Sequence, residues 1–204
     1  MNSRSPRTAL RPRKAPSQSR SEETVAVIIE AAAQVLELDG FDGFNTNAVA
    51  RRAGVSIGSL YQYFPGKDAL TAALIRREKA RFKEDIATAL AMRSGKAALA
   101  ALLQASVRQQ LQRPVLAKLL DMEEGRRPIL REEADDADLE ALVGAIVRRA
   151  APRHPQPQVA ADDLFAMIRG MVDAAGERGE RDIDDLQRRV GAAVFGYLAR
   201  TGRR

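Results

Sequence analysis

Apolar residues recur along this chain at three- and four-residue steps, the period of one face of an α-helix. Val25, Ile28, Ile29, Ala32, Val35 and Leu36 mark the first such stretch and predict a helix over 22–38. Ser21 is placed to cap it, Glu22 and Glu23 suit its positive end, and Gly40 ends it. Phe41 and Phe44 follow as core anchors. A short helix is predicted from Thr46 to Ala53, with Asn45 as its cap and Gly54 as its stop, because glycine takes the left-handed position after a helix without strain. Ser56 then caps a second short helix, Ile57–Phe64. Pro65 and Gly66 break the chain before a long helix from Lys67 to about Met92. Further helical stretches are predicted near 96–112, 115–124, 136–151, 159–176 and 182–200. The breaks between them hold Pro114, Gly125, Pro128, then Pro152, Pro155 and Pro157, then Gly176 and Gly179. No segment alternates with period two over a useful length, so the fold class expected is all-α, with about nine helices.

With 204 residues and 45% apolar content, the chain can bury a core in one or two small domains. It has no cysteine, which removes disulfides and thiolate metal sites, and no metal or cofactor is expected. No apolar run approaches the ~20 residues of a membrane span, and no apolar segment of a secretory signal follows the basic N-terminus. The expected setting is cytoplasmic, with no membrane partner.

Charge changes the picture more. Residues 1–83 carry 14 Lys/Arg against 8 Asp/Glu, and the remainder carries 19 against 19. The whole net charge of +6 therefore lies toward one end, which suggests a polyanion partner there, though ordinary surface charge gives the same count. Residues 1–20, with Arg4, Arg7, Arg11, Arg13, Lys14 and Arg20 and no acid, read as a disordered basic arm. Such an arm can lie along DNA phosphates, and a solubilising tail fits the same composition.

The stretch 45–64 has the layout of a helix-turn-helix: two short helices around a tight glycine turn. Val49, Ala50, Ala53, Val55, Leu60 and Phe64 fall where these helices pack against each other and the first helix. The outward set on the second helix is Ile57, Gly58, Ser59, Tyr61, Gln62 and Tyr63. A merely solvated helix would carry Lys and Glu here, and this one carries neither. Its surface suits the major groove of DNA, which is ~12 Å wide and admits one helix. Tyr61 and Tyr63 also fit a core role, and Arg51 and Arg52 fit a solvated face or weak phosphate contacts.

The run AxxAGVSxGSLYxYFPxKxxL from Ala50 to Leu70 resembles the TetR/AcrR family of regulators, over about residues 22–75. The resemblance implies three DNA-binding helices followed by a divergent helical domain that binds a ligand and dimerises. It implies that Thr46 and Asn47 touch phosphate and sometimes a base. Ser56, Ile57, Gly58, Ser59 and Tyr61 would enter the major groove, while Gln62, Tyr63 and Lys67 would contact phosphates. Gly58 would keep the helix close to the base edges. Ile57 departs from the Lys frequent in relatives; it cannot hydrogen-bond a base but can pack on a thymine methyl.

The expected organisation is an arm (1–20), a DNA-binding domain (21–66), a connecting helix (67–93) and an effector-binding and dimerisation domain (94–204). The resemblance implies a dimer interface on the last two helices, for which Leu164, Ile168, Met171, Leu186, Val190, Val194 and Tyr197 are candidates. An intramolecular core is the alternative. Gly170, Gly191 and Gly196, inside predicted helices, suggest close helix–helix contact. A homodimer would place two reading helices ~34–36 Å apart on a palindromic operator. Leu103, Val107, Leu111, Leu120, Met122, Phe165 and Met167 are candidates to line a pocket for a small apolar effector, a filled core being the alternative. Gln104, Arg108, Asp121 and Glu123 are candidate polar partners for it. The function expected is a transcriptional regulator, read as a repressor, whose partners are duplex DNA, a second copy and an unidentified effector. A DNA-binding regulator without an effector is a second reading. An enzyme is a third, and nothing favours it: the single histidine, His154, lies in a proline-rich break, and no HExxH motif occurs.

Overall fold

The computed structural model describes residues 19–127 and 136–202, and side chains within 21–127 and 141–202. Among the described residues there are nine helices: α1 (Ser19–Gly43), α2 (Thr46–Ala53), α3 (Ile57–Tyr63), α4 (Lys67–Ala91), α5 (Gly95–Gln112), α6 (Pro114–Arg126), α7 (Asp136–Ala150), α8 (Pro157–Glu177) and α9 (Ile183–Thr201). The all-α expectation holds.

Several boundaries differ from the sequence expectation for physical reasons. Helix α1 begins at Ser19, so Ser21 lies inside its first turn and is not the cap. Residues 19 and 20 of the expected arm belong to α1, and its residues 1–18 lie outside the described residues. Gly40 does interrupt α1, with φ 61° and ψ −170°. Gly125 does not break α6, because a glycine one residue before a helix end costs little. Pro157 opens α8, where its missing N–H would have had no partner anyway.

The chain divides into two compact units. One, the head, comprises residues 19–77 and 119–127; the other, the body, comprises 78–118 and 136–202. The expected boundaries at 66/67 and 93/94 do not coincide with this division, since both α4 and α6 run from one unit into the other. In the head, α1 packs on α2 and α2 on α3. Ile28, Leu36, Phe44, Val49, Leu60, Phe64 and Leu70 are sealed from solvent there. Each such side chain contributes about 1.5–3 kcal/mol of burial, which is what lets two short helices persist. In the body, α5 packs on α7, α8 and α9, and α8 packs on both α7 and α9. Leu99, Leu102, Leu103, Val107, Leu164, Leu186, Val190 and Val194 form its centre.

Candidate nucleic-acid interface

The turn between α2 and α3 is built by local chemistry. The Asn45 carboxamide oxygen accepts the Ala48 N–H at 2.9 Å and its amide donates to the Gly43 carbonyl at 2.9 Å. Gly54 takes φ 69°, and its N–H reaches the Ala50 and Arg51 carbonyls, closing α2. The Ser56 hydroxyl accepts the Ser59 N–H at 3.0 Å and opens α3. Leu60 is the buried residue of α3, so the helix is held by one apolar anchor and the rest of its surface is available.

That surface carries most of the expected contacts. Ile57 is 37% and Tyr61 42% exposed, and Asn47, Ser56, Gly58 and Gln62 are also exposed. Thr46 and Tyr61 are brought together, their hydroxyls 3.2 Å apart, which ties the start of α2 to the middle of α3. The hydroxyls of Ser56 and Ser59 lie 2.8 Å apart. Tyr63 and Ser59 are half-buried. A methyl group placed on Gly58 would meet nothing in the protein closer than the Ser56 hydroxyl at 3.8 Å. A glycine inside a helix costs about 1 kcal/mol relative to alanine, and here no internal contact requires it.

Lys67 has partners within the protein. Its ammonium donates to the Phe41 carbonyl at 2.6 Å and lies over the Phe41 and Phe44 rings, 5.5 and 5.7 Å from their centroids. It therefore fastens the start of α4 to the end of α1, and a phosphate would compete with that role. Sequence reasoning also missed a polar chain across the head. Arg52 Nε donates to Gln34 at 2.8 Å, Gln34 to Glu30 at 3.2 Å, and Arg77 to Glu30 at 2.8 Å. The Gln34–Glu30 step is at four-residue spacing and legible, but the links to Arg52 and Arg77 span 18 and 47 residues and leave no local signal.

In the body most of the expected interface residues are buried within the single chain. Leu164, Leu186, Val190 and Val194 are 0% exposed and Ile168 6% exposed in the single chain, the intramolecular-core alternative for these five side chains. Met171 and Tyr197 are partly buried against the same core, and the Tyr197 hydroxyl donates to Asp163, which raises its pKa. The exposed residues of these helices include small ones, Ala166 and Gly170 on α8 and Ala192, Gly196 and Ala199 on α9, beside charged ones such as Asp162, Arg169 and Arg188. Gly170, Gly191 and Gly196 have nothing within 4 Å of an added methyl group, so the close contact expected of them does not occur within the protomer. It occurs instead at Gly176, where a methyl group would fall 2.6 Å from the Gln110 amide nitrogen.

The seven expected pocket residues do not share a unit. Leu103, Val107 and Leu111 are buried in the body core with Phe165 and Met167 packed against it. Leu120 and Met122 belong to the head, where Leu120 is buried and Met122 is 45% exposed. Of the expected polar partners, Gln104 and Asp121 are exposed, Arg108 faces Asp85 at 3.5 Å, and Glu123 pairs with Arg127 at 3.4 Å. The polar side chain that does enter the body core is Gln110, 8% exposed.

Known proteins agree with this arrangement. Residues 28–74 match the family model of bacterial regulatory proteins of the tetR family, and residues 96–198 match the model of the tetracyclin repressor-like C-terminal domain. The HTH-type transcriptional regulator UidR of Escherichia coli strain K12 is 32% identical over 73 residues, covering 34% of this chain and 37% of the relative, so the match spans little more than a third of that protein. Among solved structures, the fatty acid degradation regulator FadR from Bacillus halodurans superposes with a TM-score of 0.73 at 20% identity, covering 90% of this chain and 96% of that one. The regulator FadR from Bacillus subtilis, solved in complex with stearoyl-CoA, does so with a TM-score of 0.69 at 19% identity, covering 83% and 97%. At such identities these two show a shared fold. The two family models together span the helix-turn-helix and most of the body, and this chain belongs to the TetR family of DNA-binding transcriptional regulators.

Proposed function

We propose that the protein acts as a homodimeric repressor that reads an inverted repeat in duplex DNA and releases it on binding a small, apolar effector. The observation that carries the DNA reading is the uncharged outward face of α3, with Ile57, Gly58, Tyr61 and Gln62 exposed and no internal reason for the glycine. Ile57 favours a thymine methyl at its position, and Thr46 orients Tyr61 toward its neighbour base or phosphate.

A single seven-residue helix makes few base contacts, so useful affinity calls for two of them. The small outward residues of α8 and α9 support a face-to-face association of two copies, because glycine and alanine let helix axes approach closely. Two observations support the effector reading: an aliphatic body core with Gln110 as its buried amide, and a structural neighbour solved in complex with stearoyl-CoA. Release would follow if the effector prefers a conformer whose reading helices are wrongly spaced.

Selection of bound sequences from random duplexes tests the first part. An enriched inverted repeat is expected, and recovery of no preferred sequence would sink the regulator reading for this site. Thermal unfolding against free fatty acids and long-chain acyl thioesters tests the effector, since a ligand of the folded state raises the melting temperature. No shift with either class would remove the apolar-effector proposal and leave the DNA reading intact.

A further inference from the structure

We propose that Arg127, at the end of α6, is a positioning residue of the DNA-reading head and holds the first turn of α4 in the geometry that operator binding needs. It lies outside the helix-turn-helix and 59 residues from its partner Asp68. The two terminal nitrogens of Arg127 donate to the two carboxylate oxygens of Asp68 at 2.7 and 2.8 Å. This forked pairing fixes orientation as well as distance, which a single contact does not. Glu123, one turn back on α6, meets the same guanidinium at 3.4 Å and holds it in place. The hydrogen bonds from Arg127 keep the Asp68 carboxyl below its ordinary range, against the opposing effect of burial.

Asp68 is the second residue of α4, and its neighbour Lys67 is fastened to the Phe41 carbonyl. The first turn of α4 is thus held from two directions, by α1 through Lys67 and by α6 through Asp68. Residues 64–66 join that turn to α3, so an error in its placement passes to the reading helix across three residues.

The clasp is also built to open without unfolding the head. The side chains of Arg127 and Asp68 are 36% and 29% exposed, so water replaces the lost bonds at modest cost. A released Asp68 still lies at a helix N-terminus, where its charge is favourable. The core beneath, with Leu60, Phe64, Ala69 and Leu70 sealed, does not depend on it.

Helix α6 begins in the body and its later part, from Leu119, belongs to the head. This inference rests on the DNA reading proposed above, and the test separates the two.

The test uses the full chain and the duplex enriched in the selection experiment. Asp68→Asn, Arg127→Gln and the double variant are compared for binding to that duplex and to a random duplex. Removing the negative charge of Asp68 beside the DNA-facing end should, by charge alone, strengthen binding to any DNA. The clasp predicts the opposite for the selected duplex: affinity falls about fivefold or more in each single variant, and the double loses no more than either. Random-duplex affinity should rise slightly in Asp68→Asn, and the circular dichroism spectrum should stay helical. Arg127→Lys, which keeps the charge and loses the fork, should restore at most part of the loss. The inference is overturned if Asp68→Asn binds the selected duplex as well as or better than the native protein. It is also overturned if the losses of the two single variants add in the double. If no duplex is enriched, the DNA reading itself has failed.

Discussion

Two sets of glycines in this molecule differ in what surrounds them. Gly58 on α3, and Gly170, Gly191 and Gly196 on α8 and α9, have open space where a side chain would be, apart from the Ser56 hydroxyl near Gly58. Gly95 and Gly176 meet their own chain at once, the first against the Arg149 carbonyl and the second against Gln110. The second set is explained by packing within the protomer. The first set weakens its helices with no contact inside the protomer to account for it, which fits the DNA and dimer faces proposed above. On α3 the flanking groups are hydroxyls and a carboxamide, which suits base edges and phosphates. On α8 and α9 exposed alanines lie one turn from Gly170 and Gly196, at Ala166, Ala192 and Ala199, and suit another helix. Substitution should therefore separate the sets: binding changes without loss of stability at the first, stability changes at the second.

The largest effect is expected on the body face. Gly170→Leu combined with Gly196→Leu should convert a dimer to a monomer in sedimentation and lower operator affinity by about 100-fold or more, since bivalency is lost. Melting of the protomer should be unchanged or higher, because leucine favours helix by about 1 kcal/mol per site. A dimer that persists with native affinity would place the interface elsewhere. Next comes Gly58→Gln, with a loss of operator affinity near 100-fold, about 2.7 kcal/mol, and a loss of sequence preference. Its melting temperature should hold, and a protein that unfolds instead would show that the bare spot has an internal purpose.

Lys67→Met crosses between the sets. Because its ammonium is bonded to Phe41, the variant should melt lower by several degrees and bind all DNA more weakly. The salt dependence of binding should change by less than one counterion. A slope that drops by about one would return Lys67 to the role of phosphate contact that the family pattern implies. Gly176→Ala belongs wholly to the second set. It should cost about 1–3 kcal/mol of stability, and Gln110→Ala in the same chain should recover most of that. Failure of the recovery would mean that the Gln110 carboxamide is not what occupies the space.

What the sequence made legible follows the same division. The caps at Asn45 and Ser56 and the turn at Gly54 act over three or four residues, so the residue types alone predict α2 and α3 almost to the residue. The exposed face of α3 was legible because its lack of charge is a local anomaly. The body was legible as helical, but the use of its apolar stripes was not. Leu164, Val190 and Val194 lie on one apolar stripe, and such a stripe has the same period whether it faces the protomer's core or a second copy. The links from Arg127 to Asp68 and from Arg77 to Glu30 join residues 59 and 47 positions apart, and no local pattern records them.

The smallest effect is a dependence on pH, and its sign follows from the Asp68 clasp. The Arg127 hydrogen bonds hold the Asp68 carboxyl below its ordinary value of 3.8. A group lowered in this way adds stability above its unfolded value, and the contribution fades as pH falls through the still lower folded value. The difference in melting temperature between the native protein and Asp68→Asn should therefore be flat from about pH 8 to 5 and close below about pH 4. Because both side chains are about a third exposed, the contribution should stay within about 1 kcal/mol, a shift of a few degrees. A difference that instead varies between about pH 5 and 8 would tie Asp68 to a group titrating in that range, and the pairing with Arg127 would not be what stabilises the first turn of α4.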